Sequence, residues 1–143
     1  MLTVLKLGTV KIPALDYRIK VIVTDSVSEY QHSLGICDHG SNPEASHLFG
    51  GSHDSMLVFH PFPSPGTVSH EAWHAVRQMM LNAGAELDNE LVAYHLGYIV
   101  EEVHKLLFKN VEKMEEVPCP CGCEDLLRPT RRSQPRSRKK EKA

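Results

Sequence analysis

The amino-acid sequence predicts an α+β fold over residues 1–117, in which a short β-sheet packs on two helices, followed by a tail over residues 118–143. Three observations predict it. Strand-like segments occupy the first sixty residues, helix-like segments follow between residues 67 and 116, and no apolar periodicity continues beyond them. A chain of 143 residues is of single-domain size and can bury a real core. We expect the tail to be disordered when free.

Three segments carry strand patterns. Residues 2–12 are rich in β-branched side chains, residues 17–24 alternate apolar and basic side chains, and residues 55–60 form a short apolar run before a proline-rich turn. Residues 25–33 begin with a capping candidate and predict a short helix. Residues 35–54 are rich in Gly, Ser, Asn, His and Asp, which predicts a loop.

The first of the two main helices should follow the proline-rich turn. Thr67 or Ser69 is the expected N-cap, and the helix should run to about Asn82. Gly84 suits the position just beyond its end, where a left-handed backbone is common. This helix carries the histidines discussed below.

The second main helix should begin at Asp88 or Asn89 and extend to about Glu116, with a break near Gly97 or fraying after Phe108. An apolar stripe at the helical period supports it. The stripe consists of Leu91, Val92, Leu96, Ile99, Val103, Leu106, Leu107, Val111 and Met114.

Charge is distributed unevenly along the chain, whose net charge is −2. Residues 128–143 carry eight Lys or Arg and one Glu, which gives +7, so the remainder carries eight basic and seventeen acidic residues, which gives −9. No apolar run reaches the ~18 residues of a membrane-spanning helix, and the N-terminus lacks a signal-peptide pattern. The four cysteines do not form a secreted disulfide framework. We therefore expect a cytoplasmic protein that does not contact membranes.

The strongest chemical motif is His70-Glu71-x-x-His74. Residues four apart lie one above the other on a helix, so both imidazoles could bind one metal ion, for which zinc is the usual occupant. Glu71 would then lie where it can act as a general base toward water on that ion. The alternative is a solvent-facing helix with two incidental histidines.

A zinc site of this kind needs a third protein ligand. The candidates are Glu86, Asp88, Glu90 and His95, of which we favour Glu90, because the sixteen residues after His74 leave room for a turn at Gly84 and an antiparallel return. Glu90 also begins a polar stripe on the second helix, which either faces the metal or is solvated. The stripe consists of Glu90, Tyr94, Gly97, Glu101 and His104. His95 lies about 140° round that helix, so the two are not expected to share one ion. Tyr94 either stabilises a developing oxyanion or is a packed aromatic residue.

The blocks 65–75, Gly84-Ala85 and 90–98 together resemble the zincin metallopeptidases, and in particular small zincin-like proteins encoded by tailed bacteriophages. The resemblance covers about residues 17–107 and is specific in the 65–98 block. It implies a zincin-like fold, His70 and His74 as zinc ligands, Glu71 as base and Glu90 as the acidic third ligand. It also implies the cytoplasm of a bacterial host.

Peptide hydrolysis is the activity that this motif predicts, with a protein or peptide as substrate. In zincins an extended substrate usually pairs with an edge strand beside the cleft, and residues 55–60 are the candidate for that strand here. His60 at its end either faces the cleft or is simply exposed. The other class of function is a zincin-fold binding protein without proteolytic activity that engages a host or virion partner.

Two features fall outside the resemblance. Cys119, Cys121 and Cys123 could wrap a soft metal if Cys37, a histidine or another chain supplied a fourth ligand; otherwise they are an incidental thiol cluster. Residues 128–143 could contact nucleic acid without sequence specificity, dock on an acidic partner or on the acidic body, or serve only as a solubilising end.

Overall fold

The computed structural model describes residues 1–36 and 43–118. It confirms an α+β fold built on one four-stranded mixed sheet, with one short helix between its second and third strands and the other helices after its last strand. A 3-10 turn, Pro13–Leu15, joins the first two strands. In chain order the elements are β1 (Val4–Ile12), β2 (Tyr17–Thr24), α1 (Val27–Ser33), β3 (Ala45–Phe49), β4 (Asp54–Phe59), α2 (Pro65–Asn82), α3 (Asn89–Lys109) and α4 (Val111–Glu115).

The sheet has the strand order β1-β2-β4-β3. β1 and β2 are antiparallel, β2 and β4 are parallel, and β3 is antiparallel to β4. The strands predicted at 2–12 and 17–24 are confirmed. The alternation in β2 has its expected cause, because Tyr17, Ile19 and Val21 are buried on one face while Arg18 and Lys20 are exposed on the other.

β3 is the edge strand on the side of the sheet away from β1, and the sequence did not predict it. The loop expected over 35–54 is wrong for residues 45–49, and the edge strand expected at 55–60 is instead β4, which pairs on both sides. The surrounding Gly and Ser residues predicted a loop, because a strand of only five residues among them carries little local signal. Pairing with β4 supplies its backbone hydrogen bonds.

α2 begins three residues earlier than the nearer of the two expected N-caps, Thr67, would place it. Ser64, and neither Thr67 nor Ser69, is its N-cap, and the Ser64 side chain accepts a hydrogen bond of 3.1 Å from the Thr67 N–H. Pro65 explains the difference, since its fixed φ suits the first helical position, where no N–H is needed. The helix ends at Asn82, as predicted.

The end of α2 is a Schellman motif. The Ala85 N–H donates to the Met80 carbonyl at 3.0 Å, and the Gly84 N–H donates to the Leu81 carbonyl at 3.1 Å. Gly84 has φ +65°, which lies in the left-handed region. The chain then turns back, and the Asp88 side chain caps α3 by accepting from the N–H groups of residues 90 and 91.

The second long helix is interrupted at Asn110, and not at Gly97. Asn110 has a non-helical backbone, φ −114° and ψ 17°, and its side-chain amide donates to the Leu106 carbonyl at 2.7 Å. That bond satisfies a carbonyl at the end of α3. The short helix α4 follows, so the expected fraying after Phe108 becomes a defined break.

The main core lies between one face of the sheet and the inner faces of α2 and α3. A smaller apolar cluster on the opposite face packs Val27 and Tyr30 of α1 against Ile22 and Val58 of the sheet. None of the helices in the described residues combines the length and apolar character needed to cross a membrane. Cys37 and the predicted cysteine cluster and basic tail lie outside the described residues.

The end of α2 gives a stability prediction. We expect Gly84→Ala to lower the free energy of unfolding by about 1 kcal/mol, because alanine is strained at φ +65° although open space surrounds a β-carbon there. Urea denaturation followed by circular dichroism would measure it.

Gly97→Ala is the matched control for that substitution. Gly97 is exposed inside α3 with open space around a β-carbon, so alanine should raise the free energy of unfolding by roughly 0.5–1 kcal/mol. Equal effects of the same sign at both positions would contradict the assignment of the left-handed cap.

Candidate metal centre

His70 and His74 lie on the exposed side of α2, one turn apart. Their Nε2 atoms are 3.1 Å apart, and their rings meet nearly edge to face, at 80° with centroids 4.8 Å apart. Two imidazole nitrogens bound to one tetrahedral zinc ion would be roughly 3.3 Å apart, given Zn–N distances of about 2.0–2.1 Å. The distance between the two Nε2 atoms therefore fits the two histidine ligands of the zinc site that the motif predicts.

Glu71 lies beside the histidines but on the buried side of the helix. It is only 8% exposed, and its Oε1 is 4.0 Å from Nε2 of His70. Burial raises the pKa of this carboxyl, while His74, His70 and a hydrogen bond from the backbone N–H of His47 oppose that shift. The side chain is thus a desolvated carboxylate between α2 and the edge strand, with a backbone donor holding it.

His47 on β3 joins this group, and the sequence analysis missed it. Its ring is stacked on that of His74 at 14°, with centroids 6.4 Å apart. Burial, followed by the charge of His74, lowers the pKa of His47 to about 4, so its ring is neutral at pH 7. Its Nε2 is buried and has no hydrogen-bond partner within the described residues. Residues 45–49, Ala-Ser-His-Leu-Phe, do not alternate apolar and polar side chains, so no local pattern marked this segment as a strand.

The backbone of β3 presents alternate residues to solvent. The hydrogen bonds from Gly50 N–H to Asp54 O, at 3.2 Å, and from His60 N–H to Glu44 O, at 3.0 Å, bracket the antiparallel ladder. Even-numbered residues therefore bond to β4, so the N–H and C=O groups of residues 45, 47 and 49 point away from it. The hydrogen bond from the His47 N–H to Glu71 agrees with this pattern, because that N–H is one of the groups that point away from β4.

The predicted third ligand and Tyr94 lie on the exposed face of α3. Glu90 is exposed at the first turn, and Tyr94 is 71% exposed, with its ring edge-on to that of His95. His95 is buried and shares the inner face with Val92 and Ile99. Across the described parts of the chain, no three His, Cys, Asp or Glu side chains are grouped to hold a metal ion, so Glu90 is not assembled with His70 and His74.

The polar stripe that begins at Glu90 lies on the solvated side of α3. Glu101, about three turns after Glu90, forms an ion pair of 2.7 Å with Lys105 at the surface. The stripe was predicted either to face the metal or to face solvent, and its exposed members at positions 90, 94, 97 and 101 favour solvent.

No protein-family model matches the chain, and neither a curated protein nor a solved structure is significantly similar to it. The zincin resemblance and the activity that it implies therefore stay predictions, and the geometry of α2 and β3 is the support on which a proposal can rest.

Proposed function

We propose that the chain is a zinc-dependent peptidase. The observation that carries the proposal is the pair of Nε2 atoms 3.1 Å apart on α2, next to a buried carboxylate that the edge strand holds by a backbone N–H. His70 and His74 would hold the ion, and Glu90 is the proposed third ligand, which would have to move toward them because the described structure does not group it with them. Zinc, when bound, would supply a Lewis acid that polarises the substrate carbonyl and acidifies water.

Glu71 would move the proton in this reaction. Water adds to the carbonyl carbon of the peptide bond, and the Glu71 carboxylate takes the proton that the water loses. The C–N bond then breaks, and Glu71 returns the proton to the leaving nitrogen. Burial favours this role because it raises the pKa of the carboxyl and so makes its ionised form a stronger base.

β3 would hold the substrate. Its outward backbone groups at residues 45, 47 and 49 can pair with an extended peptide, which would add a strand at the sheet edge above α2. The His47 N–H is used by Glu71, so the carbonyl of residue 47 and both groups of residue 49 are the expected partners. β3 takes the place that the sequence analysis gave to residues 55–60. Tyr94 is left out of the mechanism, since its ring lies on the exposed face of α3.

Glu71→Gln tests the proposed base. We expect peptide cleavage to fall about 10²–10⁴-fold, because an amide cannot accept the proton, while zinc content and melting temperature stay unchanged. Cleavage of a proteome-derived peptide library, read by mass spectrometry, and metal analysis of the same samples would measure both.

Glu115→Gln is the matched control for Glu71→Gln, since it removes an exposed carboxylate on a different helix, α4. Its cleavage should equal that of the wild type. Stoichiometric zinc in all three proteins without cleavage by any of them would contradict the peptidase. It would instead favour the binding protein that engages a host or virion partner.

The third ligand can be identified by zinc affinity. We expect Glu90→Ala to weaken zinc binding about 10–100-fold, as His70→Ala should, because the exposed carboxylate of Glu90 is accessible to an ion. His95→Leu should bind zinc as the wild type does, since that ring is buried on the inner face of α3. Competition with a fluorescent chelator would give the affinities.

The reverse ranking would assign the third position to His95. Unchanged zinc affinity in both variants would contradict Glu90 as a ligand too, and would leave His70 and His74 as the two ligands of the site. Circular dichroism of each variant separates loss of a ligand from loss of the fold, which matters most for the buried position 95.

A further inference from the structure

A groove of about 290 Å³ lies directly beside the candidate metal centre, between β3 and α2. We propose that it binds one apolar side chain and a nearby carboxylate of the substrate, so that preferred peptides carry both within a few residues of the cleaved bond. The inference rests on the proposed peptidase function for its cleavage step only. The groove is lined by His47, Phe49, His74, Arg77, Gln78 and Leu81.

The apolar part of the groove comes from Phe49 and Leu81. Both are large and well exposed, at 66% and 54%, and they belong to different elements that meet at this groove. Single exposed apolar residues are common, but two that line one concavity form a surface that a ligand side chain can cover. An aliphatic or aromatic side chain is the chemistry that fits it.

The charged part of the groove is Arg77. It follows His74 by three residues, so both lie on the same side of α2. No carboxylate of the described residues forms an ion pair with it, and the described lining contains no Asp or Glu. A guanidinium presents a planar fork of donors that matches a carboxylate. An unpaired arginine in a groove therefore favours an anionic group on the ligand.

The far end of the groove is held by hydrogen bonds. The Gln78 amide donates to Asn82 Oδ1 at 2.7 Å, and the Asn82 amide donates to the Ser52 carbonyl at 3.2 Å. These bonds tie the last turns of α2 to the connection between β3 and β4. The groove is thus formed before a ligand arrives, which lowers the entropy cost of binding.

The groove lies beside the strand on which a substrate peptide would pair, so it can contact residues near the cleaved bond. Phe49 also ends the edge strand, whose outward backbone would pair with an extended peptide. Alternate side chains of such a peptide point toward the same side, so one within a few residues of the metal centre would reach the groove. The carboxylate could come from a Glu or Asp side chain, or from the C-terminus of the peptide.

Peptide binding tests the proposal without relying on turnover. The full chain carrying Glu71→Gln, loaded with zinc, would be titrated into fluorescein-labelled pentapeptides and read by polarisation. One pair of end-blocked peptides has leucine two residues away from either glutamate or glutamine, so that both side chains point to the same side of the extended peptide. The second pair ends in leucine with either a free or an amidated carboxyl group.

We expect the acid member of at least one pair to bind about tenfold tighter than its amide member, since charge-assisted bonds exceed neutral ones. The pair that shows the difference identifies the source of the carboxylate. Adding Arg77→Gln should bring that ratio to about one, and adding Phe49→Ala should weaken both members of the pair. Lys20→Gln, which removes an exposed charge on β2, should keep the ratio.

A ratio near one with Arg77 present would overturn the proposal, as would a tenfold ratio that survives Arg77→Gln. Because each ratio is measured within one protein, partial loss of folding does not imitate either result. A wild-type chain that cleaves no peptide would contradict the proposed function alone, since these ratios come from a variant that needs no turnover.

Discussion

The packing of α2 against the sheet is the interaction on which the candidate site depends. Ala72 and Ala75 are fully buried at this contact, and small side chains let the helix backbone approach the strands closely. Val76 and Met79 extend the same buried face toward the end of the helix. With that face fixed, the helical period of about 3.6 residues turns the two histidines toward solvent and leaves Glu71 at the boundary, against the edge strand.

The burial of the Glu71 carboxylate is the energetically unfavourable part of this arrangement. Taking a carboxylate out of water is unfavourable unless donors or opposite charges compensate. Here the compensation is partial: the His47 backbone and the two histidines favour the ionised form, yet burial still raises the pKa. A residue chosen for stability alone at this position would be apolar, like its neighbour Ala72. A proton-transfer role, by contrast, would require a desolvated carboxylate at position 71.

Local signals made much of α2 and α3 predictable, because capping residues and apolar periodicity act within a few residues. Gly84 and Asp88 ended one helix and began the next as expected. β3 could not be predicted in that way, since its stability comes from pairing with β4 across a turn. His47 was missed with it. Periodicity groups Glu90 with Tyr94 on one face of α3, but only tertiary packing decides whether that face meets α2 or solvent.

In the proposed function, the outward side of α2 would link ion binding to ligand selection. His70, His74, Arg77 and Leu81 recur at helical spacing, so one rigid element presents the candidate ligands and much of the groove wall. β3 supplies the opposite wall through His47 and Phe49, and its His47 backbone also holds Glu71. A shift of β3 relative to α2 would therefore change groove width and the position of the proposed base together. This coupling makes the contact between these two elements, more than any single side chain, the determinant of what the site can accept.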